Sequence, residues 1–257
     1  MTKYTCSFFA SIEQSTRQSA EEIIPIVVQL VRPESAIDIG CGLGSWLATL
    51  QKNGVEDIVG VDGDYVGKDA LQIPQEAFTA KDLSKPLRFN RQFDLALSIE
   101  VAEHLPHDCA ETFIDSLTQL APVILFSAAI PFQGGNHHVN EQWPEYWAKL
   151  FLDRGYLAID CIRKKVWQNP NVLYCHSQNV ILYVKRDHVE KSEILKRELE
   201  ISGGPILPLV HPLVYLSRSD PSIMSPRLVI SLILLFPRII VSAFKRKSRR
   251  FLTGKKL

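Results

Sequence analysis

Apolar residues in this 257-residue chain switch between two spacings, and the switches mark out its elements. In residues 17–31, Ile23, Val27 and Leu30 recur at the three-to-four spacing of a helix face, while Pro25 puts the start of that helix in question. "SAIDIG" then gives a short continuous apolar run closed by glycine, the pattern of a strand buried on both faces. "SWLATLQKNG" reads as a helix stopped at Gly54. "DIVGVD", "FTAKD", "FDLALSI" and "VILFSAAI" repeat the strand pattern, with helical or irregular stretches between them. "YLAIDCIRKKVW" and "NVILYVK" read as two late strands with no helix between them, the form of an antiparallel pair at a sheet edge. Strands and helices alternating in this way predict an α/β class, a doubly wound, mostly parallel seven-stranded sheet covered on both faces.

The pattern changes after Arg186. "HVEKSEILKRELEIS" is charged and helical in period, and "GGPILPLVHPLVYLSRSDPSIMSP" is rich in proline and too broken for a regular element. "RLVISLILLFPRIIVSAFKRKSRRFL" follows. The expected organisation is a domain over residues 1–186, a charged helix and proline-rich linker over 187–225, and a basic tail over 226–257.

Charge sharpens the view of that tail. The formal net charge is +1, yet from Ser225 onward there are nine basic residues and no acidic ones, which leaves 20 basic against 28 acidic residues before it. Arg227, Ser231, Arg238, Ser242, Lys245 and Arg249 fall within an arc of about 60° at roughly 100° per residue, a polar stripe on an apolar helix. Such a segment suits the membrane interface, with residues 227–250 meeting anionic headgroups. The 17 residues between Arg227 and Lys245 are short for a span, though a tilted transmembrane helix is a rival reading. A dimer or partner-binding helix is a third. The five cysteines are scattered and form no C-x-x-C pair, so neither a disulfide framework nor a zinc site is suggested, and no residue is assigned to a metal. A cytoplasmic protein, peripheral at the cytosolic face of the membrane, fits these features. The N-terminus reads as no signal peptide.

Candidate chemistry begins at "IDIGCGLGSW", where Asp38, Gly40, Gly42 and Gly44 fall at a strand-to-helix turn. Glycines there let a ligand approach the backbone, and the following helix offers unpaired amides. The spacing is not G-x-G-x-x-G, because position 45 is serine. The second strand ends at Asp62, 18 residues after Gly44, where a carboxylate can accept both hydroxyls of a ribose.

On these residues the chain resembles the class I methyltransferases that use S-adenosylmethionine, over roughly residues 20–186. "IDIGCGLG" matches their glycine loop and Asp62 in "VGVDGD" their ribose carboxylate. Asp82 in "KDL" matches the acidic residue near the adenine amine, and "FDLALSIEVAEHL", with Glu100, the segment lining the methionyl part of the cofactor. The resemblance implies the Rossmann-like methyltransferase fold with its reversed seventh strand, and S-adenosylmethionine as cofactor. Glu100 and Glu103 have a solvent-facing alternative at a helix start, where negative charge suits the dipole, and His104 reads as a packed structural histidine rather than a catalyst. Base-amine methyltransferases carry a D/N-P-P-Y/F segment where this chain has "SIEV", and no Pro-Cys dipeptide occurs, so nucleic acid is a weak second choice as substrate.

One stretch remains, "FQGGNHHVNEQWPEYW" at residues 132–147, directly after the fifth strand. Ligands of doubly wound sheets sit outside the C-terminal strand ends, so a loop here covers the substrate side. Methyl transfer from a sulfonium is a displacement in which the protein mainly aligns the acceptor; an alcohol acceptor also needs a base, and histidine suits that near neutrality. His138, with His137 as the alternative, is the expected base on a loop hinged at Gly134 and Gly135. Trp143 and Trp147, four apart, form either an aromatic wall for a sugar or packing against the sheet. "HVNEQW" and "LYCHSQNVILYV" resemble methyltransferases of bacterial polysaccharide and glycolipid gene clusters, with Cys175 and His176 departing from that group. The expected function is methyl transfer to a hydroxyl of a sugar or lipid-linked glycan precursor. A carboxylate or lipid-like acceptor is the alternative, and a non-catalytic membrane-tethered scaffold a third.

Overall fold

The computed structural model describes residues 6–202, 205–220, 224, 226 and 229–237. Helix α1 (Cys6–Val31) runs straight through Pro25. The proline sits on the exposed face, while Ala20, Ile23, Ile24, Val27 and Leu30 are buried. A mid-helix proline costs about 3 kcal/mol, less than the burial of these side chains contributes at about 1.5–3 kcal/mol for each large one. The helix is therefore longer than residues 17–31.

Strands β1 (Ser35–Ile39), β2 (Asp57–Asp62), β3 (Phe78–Ala80), β4 (Leu95–Ile99), β5 (Val123–Ser127), β6 (Tyr156–Ile159) and β7 (Ile181–Lys185) form one sheet, ordered β3-β2-β1-β4-β5-β7-β6. The first five are parallel; β7 runs antiparallel to both β5 and β6. Buried side chains alternate faces along the central strands. Leu95 and Leu97 of β4 join the apolar cluster that includes the buried residues of α1 and of α2 (Ser45–Lys52), whereas Ala96 joins the cluster of α3 (Ala110–Leu120) and α4 (Pro144–Leu152). Two covered faces explain why these strands read as continuous apolar runs rather than as alternation. From β1 the chain winds outward through β2 and β3, then returns to place β4 on the other side of β1. That reversal opens a crevice at the C-terminal ends of β1 and β4.

One expectation fails here. The late strands are separated by two short helices, α5 (Arg163–Val166) and α6 (Tyr174–Asn179), so only "YLAI" of the first late run is strand. The fully buried Arg163 turns the chain: its guanidinium donates to Asp160 at 2.8 and 2.6 Å and to the carbonyls of Gln178 and Leu207 at 3.3 and 3.1 Å. A buried arginine needs such partners, and a strand could not supply them. The first compact unit runs to Leu209. Val189 of α7 (Arg186–Lys191) and Leu195 of α8 (Glu193–Ser202) are buried in the α1–α2 cluster.

The second unit begins at Val210. Its proline-rich stretch does hold a regular element, α9 (Pro212–Ser219), which has proline in its first turn, and the His211 ring accepts a hydrogen bond from the Leu213 amide at 3.2 Å. Residues 229–237 are helical with exposed side chains; most of the polar stripe read from the sequence, including Arg227, Arg238 and "KRKSRR", lies outside the described residues. Among the described residues no helix is long and apolar enough to cross a membrane.

Candidate functional site

At the end of β1 the chain enters the glycine loop with Gly40 at φ +88°, Gly42 at +53° and Gly44 at +85°. At Gly40 no other residue fits, because a Cβ would fall 2.3 Å from Cγ2 of Val101. The loop's amides turn toward β2. Gly40 N–H and Cys41 N–H donate to the Val61 carbonyl, and Gly42 N–H donates to Oδ2 of Asp62 at 2.7 Å. Oδ1 of Asp62 accepts from the Gly63 amide at 2.7 Å and the Tyr65 hydroxyl at 2.6 Å. Burial pushes this carboxyl above its ordinary range, opposed by those three hydrogen bonds. Asp38 lies one step inside, on β1. Burial, and next the charge of Asp62, raise its carboxyl to about 7, and its Oδ2 has no hydrogen-bond partner among the described residues.

A cavity of about 820 Å³ opens at these strand ends. Six of the residues expected from the sequence line it: Gly40, Gly42, Asp62, Asp82, Glu100 and His137. Asp38, Gly44 and His138 stand behind that lining. The Asp82 carboxylate also holds its own turn, accepting from Ser84 N–H at 2.9 Å and Ser84 Oγ–H at 2.6 Å, which keeps it below the usual range. Glu100 has the left-handed φ of +55° and is held there by its amide, which donates to the Ser127 carbonyl and hydroxyl at 3.1 and 3.0 Å. Backbone strain in a non-glycine residue at a strand end is a common mark of a working site. The Glu100 carboxylate accepts from the side-chain amides of Asn179 and Gln133, each at 3.0 Å.

Three residues just beyond Glu100 carry more than the sequence suggested. A single 3-10 turn (Ala102–His104) puts Glu103 fully inside and His104 on the cavity wall. Burial first, and the Glu100 charge second, raise the Glu103 carboxyl well above the carboxylate range. Burial, and then the His138 ring, depress His104 to about 4, so its imidazole is neutral at pH 7. The His104 and His138 rings meet edge to face with centroids 4.8 Å apart. His138 Nδ1 lies 2.9 Å from Oε1 of Glu141. Burial raises the Glu141 carboxyl, but the hydrogen bonds from His138, Gly134 N–H and Phe132 N–H outweigh it and leave the group below its usual range. His176, marked in the sequence only as a departure, also lines the cavity, edge-on to Trp46.

The loop over residues 132–142 is tied down by backbone hydrogen bonds in this arrangement. Val139 N–H and Asn140 N–H donate to the Glu103 carbonyl at 2.9 and 3.0 Å, and Gln142 N–H to that of Ala129 at 3.2 Å. Gly135 makes room for the His138 ring, since a Cβ there would lie 2.1 Å from Nε2. The expected aromatic wall also resolves: Trp147 is buried between Phe126 and Tyr146, while Trp143 precedes α4 and is 41% exposed. Neither lines the cavity. The sequence held a signal for Glu103 and His104 in "EVAEH", but only the turn shows which side chain points inward.

No curated protein matches the chain. Among solved structures it is similar to magnesium protoporphyrin IX methyltransferase (ChlM) from Synechocystis PCC 6803 with bound SAH, at 18% identity over 66% of this chain and 84% of that one, TM-score 0.50. It is similar to DesVI of Streptomyces venezuelae at 12% identity over 70% and 95%, TM-score 0.51. The methyltransferase domain of bacterial CtHen1 shares 24% identity over 65% and 97%, TM-score 0.47. The first two likenesses show the fold. The family model described as "Methyltransferase domain" matches residues 13–163, the stretch that builds the glycine loop, Asp62, the Glu100 turn and the histidine loop, and the chain belongs to that family.

Proposed function

We propose that this chain binds S-adenosylmethionine in the cavity and methylates a hydroxyl of a sugar or glycan precursor. The observation that carries the reading is one continuous cavity reaching from Gly40, Gly42 and Asp62 to Glu100, His104 and His137. Its volume lies within the roughly 300–1,000 Å³ of small-ligand sites. The residues fit the cofactor: Gly40 leaves backbone where a side chain would collide with Val101, and the buried Asp62 carboxylate stands at the strand end. The residues that would hold it are the loop at 40–44, Asp62 for the ribose, Asp82 for the adenine end and Glu100 for the methionyl end. When bound, the cofactor supplies an electrophilic methyl on a good leaving group.

The protein's share is alignment, water exclusion and a place for the acceptor's proton. His137, on the wall, is the histidine of the pair that can meet an acceptor directly; His138 stands behind it, with Glu141 holding Nδ1. The sugar class rests on the resemblance of "HVNEQW" to polysaccharide-cluster methyltransferases. For the tail we infer peripheral membrane attachment, supported by the exposed Ile230, Ile233, Leu234 and Phe236 and by the nine basic residues from position 225 onward. Titration calorimetry with S-adenosylhomocysteine tests the cofactor, and methyl transfer to sugar hydroxyls with His137→Ala beside wild type tests the base. A chain without affinity for that product would end the reading; undiminished turnover in His137→Ala would remove the base.

A further inference from the structure

Among the described residues, Glu103, His104 and His138 bring one ligand atom each to within 4.8 Å of one another. We propose that these three residues form a site for one divalent transition-metal ion, of the Mn(II), Fe(II), Co(II) or Zn(II) kind, whose open positions face the cavity and take a pair of acceptor oxygens such as vicinal hydroxyls. The inference rests on the methyl-transfer reading for its purpose, though not for its geometry.

Four observations support it. Glu103 is fully buried, and the groups its carboxyl meets are the Glu100 carboxyl and the backbone of Glu103 and Ala129, none of them a cation. A buried carboxylate without a counter-charge is expensive, and a coordinated cation relieves that penalty. His104 lies on the cavity wall, so an ion held there reaches the open space where an acceptor would sit. His138 has Nδ1 engaged by the Glu141 carboxylate, and this is the outer-sphere arrangement that orients a ligating histidine. Its Nε2 is then the nitrogen left for an ion, and it stands close against Gly135, where a Cβ would lie 2.1 Å away. Donors around one ion at about 2.1 Å stand about 3.0–3.4 Å apart, so side-chain shifts of about an ångström close the set. Two imidazoles and one carboxylate suit a first-row transition ion better than magnesium or calcium, which prefer all-oxygen cages.

Such an ion would bind the acceptor, lower the pKa of the hydroxyl it holds and so ease loss of that proton toward His137. It also explains why the loop over residues 132–142 is fastened to the Glu103 carbonyl: the fastening brings His138, from a distant part of the chain, to the Glu103–His104 turn.

The test uses the full chain, stripped with chelator and titrated separately with Mn(II), Co(II) and Zn(II) by calorimetry, with the visible spectrum of the Co(II) form recorded. One equivalent should bind with a dissociation constant of micromolar order, and imidazole ligation should show in the Co(II) bands. Glu103→Gln, His104→Ala and His138→Ala should each abolish that binding, Glu141→Gln should weaken it about 10–100-fold, and His107→Ala on the exposed surface should leave it unchanged. His138→Ala, on a loop, decides the matter if Glu103→Gln does not fold. Binding no tighter than about 1 mM for every ion, or full binding in both histidine variants, would overturn the site. S-adenosylhomocysteine affinity, measured on the same samples, separates the two readings. Its absence would strike the cofactor assignment alone, whereas metal failure with that affinity intact strikes only this inference.

Discussion

Gly40→Ala is the sharpest probe of the glycine loop, because its effect divides into two parts that can be separated. The residue sits at φ +88°, where an L side chain is strained by about 1–2 kcal/mol. The added Cβ would also fall 2.3 and 2.9 Å from Cγ2 and Cγ1 of Val101, whereas carbon atoms pack best at about 3.5–4.0 Å. Val101 is buried and β-branched, so rotating it turns one methyl away only by bringing in another. Overpacking of this kind costs about 1–3 kcal/mol, for a total of about 2–5 kcal/mol. Val101→Ala removes both offending methyls and leaves its Cβ at 3.2 Å, a contact that a shift of a few tenths of an ångström relieves. In that background Gly40→Ala should therefore cost only the backbone part, giving a favourable coupling of about 1–3 kcal/mol. Urea unfolding of the four ligand-free proteins measures the cycle, and calorimetry with S-adenosylhomocysteine follows binding in each. A Gly40→Ala loss under about 0.5 kcal/mol, or strict additivity with Val101→Ala, would refute the reasoning.

Three further outcomes are expected. The Asp38 carboxyl, raised from 3.8 to about 7, binds its proton more tightly folded than unfolded, so its contribution is complete below pH 4 and lost as pH rises through 7. Its full size is about 4 kcal/mol at most, at about 1.36 kcal/mol per pKa unit, and Asp38→Asn should flatten the fall in urea midpoint between pH 5 and 8; equal slopes in both proteins would count against it. Glu141→Gln weakens the hold on His138, Gly134 and Phe132, which should cost about 1–3 kcal/mol and speed proteolytic cleavage within residues 132–142. Trp147→Ala should cost about 3–5 kcal/mol and Trp143→Ala under about 1 kcal/mol, neither changing S-adenosylhomocysteine affinity, because only Trp147 is buried and neither meets the cavity. A cofactor affinity that falls with Trp143→Ala would restore the aromatic wall.

What the sequence determined by itself was set by short-range physics. The inner strands β1, β4, β5 and β7 are legible because a strand covered on both faces must be apolar at consecutive positions, and the stops at Gly40 and Asp62 mark the ends of β1 and β2. The glycine loop ends β1 and Asp62 ends β2, consecutive parallel strands, so the strand-helix-strand spacing brings them to one site. The tertiary structure decided whatever depends on which distant groups meet. Pro25 stays helical because the α1 face is buried on the other side, and "RKKV" leaves the strand because Arg163 finds Asp160 and two carbonyls inside. His104 and His138 lie far apart along the chain, yet the hydrogen bonds of residues 139 and 140 to Glu103 bring their rings together. His138 thus stands behind the wall that His137 forms, beside a buried carboxylate that no sequence spacing identified. A pattern of residues records what each position prefers; contact between segments fixes which charge is left inside without a partner.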